Sequence, residues 1–274
     1  MSINTDLFVR TLMQNERFAE SGAALWSGAS VSASGFVGGS CALAATALFQ
    51  QGRGSMLLVT PTAEMAEQVA EDLTLFLAPE YLPSVLLFPP MEQHESESES
   101  ALAIAEDSFG ERVNVLKRLV TSAEDRSLVV VSMPALLQPV PPPLLLKDRT
   151  QTLAVNSRVD VESLRRYLVE GGYHSTTAVD LPGEFAVRGY ILDVFAPDWD
   201  QPVRIEFFSD EIESIRRFDL QTQRSLEKLT EIDLTRLQPY ECTGASLLDY
   251  FSPDVPIVLV EPAALQEQRI HESI

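Results

Sequence analysis

The sequence predicts a mixed α/β protein, with one α/β domain built on a parallel sheet and a smaller α+β domain built on an antiparallel sheet. In the first half, short apolar runs alternate with helical patterns, which is the order of a βαβ unit. These runs are 55–59, 84–88 and 128–131. In the second half, 202–208 alternates apolar with charged residues, the period of a half-buried strand. Ser209-Asp210 then predicts a tight turn into another run, 211–218.

Composition limits the function classes. The chain has 274 residues, enough for one or two domains, and no apolar run reaches the ~18–20 residues of a membrane span. The amino terminus has no basic-then-apolar signal peptide. The two cysteines, Cys41 and Cys242, are too few for a disulfide framework, so we expect a reducing cytoplasm and no membrane.

The charge balance disfavours a stand-alone nucleic-acid-binding protein. The chain carries 20 basic and 40 acidic residues, a net charge of −20, which phosphate backbones repel. The basic residues are concentrated in the middle, with 12 of the 20 between 137 and 236. This distribution hints at a specific polar interface in that segment.

The first predicted domain covers 1–136. It begins with an amphipathic helix at 5–20, continues through the alternating strands and helices, and ends near the proline cluster Pro139–Pro143. A proline cluster continues neither a helix nor a strand ladder, so we place a domain boundary near residue 137.

A strand, a glycine-rich turn and a small-residue helix around 25–48 predict the context of a phosphate-binding loop. Gly35 fills the first position of the P-loop pattern. Ser40, Cys41 and Ala42 stand where glycine, lysine and serine or threonine are required. Because the lysine that neutralises the phosphates is missing, we expect a degenerate P-loop and no cofactor. An unusual nucleotide site is the alternative.

The second predicted domain covers 137–236. A strand at 151–155 precedes a helix capped by Asp160 and stopped by Gly171-Gly172. The run 184–195 reads as one long strand, with Gly189 at a bulge. Further on, 237–274 contains an apolar strand at 256–260, which either completes the first sheet or begins a larger part that is missing.

The motif RGYILDVF, followed by VRIEFFSDEIESIRRFD, carries a resemblance to a known family. It resembles domain 2 of the excinuclease protein UvrB, and more closely the matching module at the start of the bacterial transcription-repair coupling factors. The resemblance is specific over about fifty residues and weaker over nearly the whole chain. It implies a helicase-like first domain with a decayed nucleotide site, interrupted by a UvrB domain 2-like insertion, with 237–274 returning to the first domain.

The resemblance also implies a function and a binding site. The module would recruit UvrA in transcription-coupled nucleotide excision repair, through residues that match the UvrA contacts of UvrB. Those residues are Arg188, Arg204 and Glu206. UvrB usually has a second basic residue where this chain has Ala186. Its absence would lower the affinity for UvrA or make neighbouring residues contribute more of the binding energy. An ordinary surface arginine paired to Asp193 or Glu184 is the alternative for Arg188.

No catalytic or metal-binding motif emerges from the sequence, so we expect a non-enzymatic fragment. The resemblance further implies that RNA polymerase and DNA would be reached only through downstream domains, which would supply ATP-dependent translocation. The first alternative is a fragment of an ATP-dependent repair helicase like UvrB. The second is a DNA-binding module. The acidic stretch 93–100 opposes the latter, because it stands where UvrB has an aromatic hairpin that grips DNA.

Overall fold

The computed structural model describes residues 5–91, 99–121 and 126–265. These residues form two compact units. The first contains the described parts of 1–91, 118–138 and 246–274, and the second contains those of 92–117 and 139–245. The second unit is therefore inserted twice into the sequence of the first. The domain limits drawn from the sequence stay a prediction, and the helical segment up to Lys117 groups with the second unit.

The first unit is an α/β domain. Its helices are α1 (Thr5–Gln14), α2 (Glu16–Trp26), α3 (Gly39–Gln51), α4 (Ala63–Phe76) and α6 (Met133–Leu137). Its strands are β1 (Met56–Thr60), β2 (Val85–Phe88), β3 (Leu128–Ser132) and β12 (Ile257–Leu259). The four strands form a parallel sheet in the order β12-β1-β3-β2. The strand predicted near 256–260 thus lies beside β1, at one edge of this sheet.

One face of the parallel sheet packs against α3 and α4. The small residues of α3 let it lie close to the strands, and Phe49 fills the space at its carboxyl end. On α4, Val69 and Leu73 recur on one face, as the helical period requires. They meet Met56 and Leu58 of β1 in a single apolar cluster.

The second unit is an α+β domain. Its helices are most of α5 (Glu99–Thr121), α7 (Pro143–Asp148) and α8 (Val161–Glu170). Its strands are β4 (Thr150–Ala154), β5 (His174–Ser175), β6 (Glu184–Arg188), β7 (Ile191–Phe195), β8 (Val203–Phe208), β9 (Glu211–Phe218), β10 (Ser225–Leu229) and β11 (Glu231–Thr235). The predicted fold class, a parallel-sheet α/β domain with a smaller antiparallel α+β domain, is confirmed.

Strands β5 to β10 form one sheet in the order β10-β9-β8-β7-β6-β5, antiparallel except for the pair β5–β6. Strands β4 and β11 form a separate antiparallel pair. Helix α8 begins at Asp160, whose side chain accepts a 2.9 Å hydrogen bond from the Ser163 amide, so the predicted cap is confirmed. The helix buries Leu164 and Leu168 against the core face of the large sheet, with Ile205 among their partners.

The structure corrects the strand predicted over 184–195. The chain reverses at Gly189-Tyr190, so this run is the hairpin β6–β7 rather than one bulged strand. Gly189 has a φ of 62°, the left-handed region that glycine adopts without a steric cost. The register shift lies instead between β8 and β9, at Glu206/Phe207. The turn predicted at Ser209-Asp210 is confirmed.

The strand predicted before the glycine-rich turn is also wrong. Helix α2 runs to Trp26, and residues 29–37 have no regular secondary structure before α3 begins at Gly39. Residues 92–98, which include most of the acidic stretch, lie outside the described residues. Among the described residues, every helix is too short or too polar to span a membrane.

Candidate functional site: the charged face of the antiparallel sheet

The large sheet of the second unit has one apolar face and one charged face. Alternation along β8 places Val203, Ile205 and Phe207 in the core and turns the residues between them to the other side. Arg204 pairs in register with Asp193, and Glu206 pairs with Ile191, which also lies opposite Arg188. Arg188, Arg204 and Glu206 therefore share the charged face. Arg188 and Glu206 lie in the same cross-strand row.

Arg188, at the end of β6, is exposed, and its guanidinium is anchored to the loop that precedes the strand. Nε donates a 3.0 Å hydrogen bond to the carbonyl oxygen of Thr177, and Nη2 donates to the same oxygen. The alternative pairing with Asp193 or Glu184 does not occur. Asp193 pairs with Arg204, and Glu184 accepts hydrogen bonds from the backbone amides of residues 180 and 181.

Arg204, near the start of β8, is fixed from several sides. Nε donates to Oδ1 of Asp193 at 2.6 Å, and Nη2 donates to Oδ2 at 2.8 Å. Nη2 also lies 3.2 Å from Oε1 of Gln223, and the guanidinium stacks 4.6 Å from the centre of the Phe218 ring. The hydrogen bond to Asp193 raises the pKa of Arg204, so the guanidinium stays positively charged. Only 21% of its side chain is exposed.

Glu206, two residues further along β8, is held through one carboxylate oxygen. Oε2 accepts a 2.8 Å hydrogen bond from the hydroxyl of Ser214 and a further bond from Nη2 of Arg216. The bond from Ser214, followed by that from Arg216, lowers the pKa of Glu206, so the side chain is an anion at neutral pH. The β8–β9 register shift lies directly beside it.

The three side chains share one arrangement. In each side chain, some polar atoms make hydrogen bonds within the domain. One further polar atom of the same side chain makes no hydrogen bond to the described residues. These atoms are Nη1 of Arg188, Nη1 of Arg204 and Oε1 of Glu206. A side chain that is already fixed loses little conformational freedom when it meets a partner. The arrangement can therefore offer two N–H groups and one carboxylate oxygen to a charged surface.

Part of the same face is covered by an apolar cluster. Ala186 is 1% exposed and packs with Val179 and Phe195, with Trp199 and Leu220 at the border. Ala186 stands at the position where UvrB usually has a second basic residue. Here an apolar cluster fills that place, so the charged surface is confined to Arg188, Arg204, Glu206 and their neighbours.

Two exposed aromatic residues were missed by the sequence analysis. Phe208 is 77% exposed and Tyr190 is 65% exposed. Tyr190 lies in the β6–β7 turn, and its carbonyl oxygen accepts a 2.8 Å hydrogen bond from the amide of Phe207. Phe208 directly follows buried Phe207 in β8, so its side chain points to the face of the sheet opposite the core. The doublet Phe207-Phe208 in an alternating strand was the signal, because both residues cannot face one core.

The degenerate P-loop residues lie at the start of α3 in the first unit. Within the part of the chain that the structure describes, the Ser40 hydroxyl bonds to its own turn: Oγ donates to the carbonyl oxygen of Val37 at 2.8 Å and accepts from the Val37 amide at 2.7 Å. Burial raises the pKa of the Cys41 thiol, and Ala42 is fully buried. Gly35 lies in the irregular segment before the helix. A methyl group on Gly39 would lie 3.4 Å from a carboxylate oxygen of Asp72.

Potential metal ligands do not cluster in the described parts of the chain. Within residues 5–91, 99–121 and 126–265, no group of three or more histidine, cysteine, aspartate or glutamate residues could hold a metal ion.

Comparison with known proteins matches the sheet-bearing part of the second unit to a known domain. Residues 152–240 match the family model of the UvrB interaction domain. This match covers α8 and all strands of the large sheet, including Arg188, Arg204 and Glu206. The charged face therefore belongs to the matched domain.

Relatives match a larger part of the chain. It is 38% identical over 187 residues to the transcription-repair-coupling factor of Myxococcus xanthus, and 33% identical over 201 residues to that of Bacillus subtilis. The factor of Mycobacterium tuberculosis is 36% identical over 205 residues. The chain belongs to the transcription-repair-coupling factor family. The alignments cover 66–73% of this chain but only 15–16% of each relative, so the chain spans a small part of the relatives' length.

Proposed function

We propose that this coupling-factor segment is a non-catalytic interaction module that recruits UvrA in transcription-coupled nucleotide excision repair. The observation that carries the proposal is the charged face of the UvrB interaction domain. There Arg188, Arg204 and Glu206 are fixed by intramolecular bonds, and each keeps a polar atom that makes no hydrogen bond to the described residues. The name of the matched domain is consistent with a partner in the UvrA–UvrB system.

The composition of this face fits a protein partner. Two arginines and a glutamate offer charges of both signs, and exposed Phe208 and Tyr190 add apolar area beside them. Aromatic residues and arginine are enriched among the residues that dominate protein–protein binding energy. A net charge of −20 opposes DNA as the partner of this chain alone. We therefore assign DNA and RNA polymerase contacts of the whole factor to segments outside this chain.

We further propose that the segment is not an enzyme and needs no cofactor. The start of α3 offers no lysine, because Cys41 stands in its place, and buried Ala42 supplies no hydroxyl for magnesium. The carboxylate of Asp72 near Gly39 would repel a phosphate group there. The scattered cysteines favour a cytoplasmic location.

Titration of purified UvrA with the chain tests this function. We expect saturable binding, and a mobility-shift assay with duplex DNA should show none at physiological salt. Binding to DNA without binding to UvrA would favour the DNA-binding alternative. Binding to neither would refute the proposed recruitment.

A further inference from the structure

Two arginines face each other on the charged face of the second unit. Arg204 on β8 and Arg216 on β9 are directly paired in register. Like charges opposite each other on neighbouring strands repel and destabilise a sheet. The repulsion is offset because each arginine has its own carboxylate, Asp193 for Arg204 and Glu206 for Arg216. The four side chains form one neutral network across β7, β8 and β9.

The Arg216 side chain is mostly buried within this network. Its side chain is 26% exposed, and Nη2 donates to Oε2 of Glu206 and lies 3.2 Å from Oγ of Ser214. Its Nε is buried and makes no hydrogen bond within the described residues. Ser214 donates to the same oxygen of Glu206. Both contacts from β9 therefore reach one carboxylate oxygen and leave Oε1 turned away from them.

We propose that Arg216 is a positioning residue for Glu206. It holds Oε2 so that Oε1 is presented to a cationic side chain of the protein partner. This inference rests on the proposed function, since it concerns the same surface. It adds a residue that the sequence analysis did not assign and specifies the chemistry that Glu206 accepts, namely an arginine or lysine of the partner.

The expected effect follows from conformational freedom. A glutamate without a fixed partner samples several rotamers, and binding must then order it at an entropic cost. When Arg216 is removed, the Ser214 hydrogen bond remains the contact that holds Oε2 among the described residues, and the rest of the ordering has to occur on binding. We expect Arg216→Ala to weaken binding about twofold to tenfold, the range that ordering one flexible side chain costs.

A double-mutant cycle on UvrA binding tests the inference. We expect Arg216→Ala to weaken binding in the wild-type chain and to have no further effect in Glu206→Ala. Arg217→Ala is the matched control, because Arg217 is the next residue, points to the other side of β9 and pairs with Glu227 at 3.3 Å. It should bind like the wild type. Equal effects of Arg216→Ala in both backgrounds, or no effect in the wild-type chain, would overturn the positioning role.

A second readout uses the free protein. The groups that face Glu206 are Arg216 and Ser214 on β9, Arg204 on its own strand, and Arg188 in its cross-strand row. NMR titration of the Glu206 carboxyl should show a higher pKa in Arg216→Ala than in the wild type, with no change in Arg217→Ala. An unchanged pKa would refute the contact itself. If Arg216→Ala does not fold, Arg216→Met, which keeps the aliphatic stem and removes the hydrogen-bond donors, replaces it in both measurements.

Failure of the inference and failure of the proposed function give different results. If the wild type does not bind UvrA, the proposed function is wrong and the positioning role for that partner is wrong with it. If the wild type binds and Arg188→Ala weakens binding, but the Arg216–Glu206 cycle is additive, only the positioning role is wrong.

Discussion

Asp193 and Arg204 stand directly opposite each other on β7 and β8 and are joined by two hydrogen bonds of 2.6 and 2.8 Å. Asp193 is 4% exposed, so its charge is almost removed from water and depends on the arginine for compensation. The two-bond geometry is the one that a guanidinium makes best with a carboxylate. A residue expected to contact the partner therefore also stabilises the sheet.

Arg204→Ala should lower the free energy of unfolding of the second unit. The substitution leaves the Asp193 carboxylate buried without a cation, which costs ~3–5 kcal/mol in fully buried pairs. Because Arg204 is partly exposed, we expect about 1–3 kcal/mol. Urea denaturation followed by circular dichroism measures the change. Exposed Arg217→Ala is the control and should cost less than about 0.5 kcal/mol. Equal costs for the two variants would contradict this role of the Asp193 pair.

We expect this chain neither to bind nor to hydrolyse ATP. Cys41 and Ala42 remove the lysine and the hydroxyl of a P-loop, and Asp72 places a negative charge near Gly39 at the start of α3. A fluorescent ATP analogue titrated to millimolar concentration should give no saturable signal. UvrB, which keeps the GKT sequence, is the positive control. A micromolar dissociation constant would overturn the expectation.

The sequence predicted the strands and helices well where one side of an element is buried. In β8, the alternation of Val203, Ile205 and Phe207 with charged residues gave both the strand and its two faces. In α8, the Asp160 cap and the glycines after Glu170 gave the limits of the helix. These features are local, because a few neighbouring residues determine them.

Features that depend on distant residues were not predicted. The run 184–195 reads as one apolar strand, and only pairing shows that Gly189-Tyr190 reverses it. The resemblance indicated Arg188, Arg204 and Glu206 as partner contacts, which stays a prediction, and the sequence did not predict which residues fix each of them. Thr177, Asp193 and Arg216 are respectively 11, 11 and 10 positions away, and strand pairing and loop folding bring them together.

Lys117→Met should destabilise the second unit in a pH-dependent way. Lys117 donates to Oδ2 of buried Asp198 at 2.6 Å and to the carbonyl oxygen of Asp233 at 2.8 Å. Removing one partner of a buried ion pair costs about 3–5 kcal/mol, because the other charge stays buried. We expect a loss of this size near neutral pH, measured by urea denaturation. A loss below about 0.5 kcal/mol, the level of a surface substitution, would contradict the pairing.

The sign of the pH dependence follows from Asp198. Burial raises its pKa, whereas Lys117 lowers it, so the variant should have a still higher pKa in the folded state. Between the ordinary pKa of 3.8 and the raised folded pKa, the folded variant holds a proton that the unfolded chain releases. Its stability should therefore rise as the pH falls through this window. The free energy of unfolding that Lys117→Met loses relative to the wild type should therefore be smaller at pH 5 than at pH 7.5.

Arg188→Ala should abolish co-purification with UvrA while the domain stays folded. Arg188 is exposed, and among the described residues its side chain bonds only to the Thr177 carbonyl oxygen, so its loss costs little stability. Its guanidinium offers Nη1 to a carboxylate of the partner, and truncating such an anchor typically costs ~2–4 kcal/mol, or about thirtyfold to a thousandfold in affinity.

Arg204→Ala and Glu206→Ala should weaken binding less, since both side chains are partly engaged by Asp193 and Arg216. Titration of UvrA against each variant measures the effect, with circular dichroism as the folding control. If Arg188→Ala binds within about threefold of the wild type, which is below 1 kcal/mol, the interface lies elsewhere on the domain.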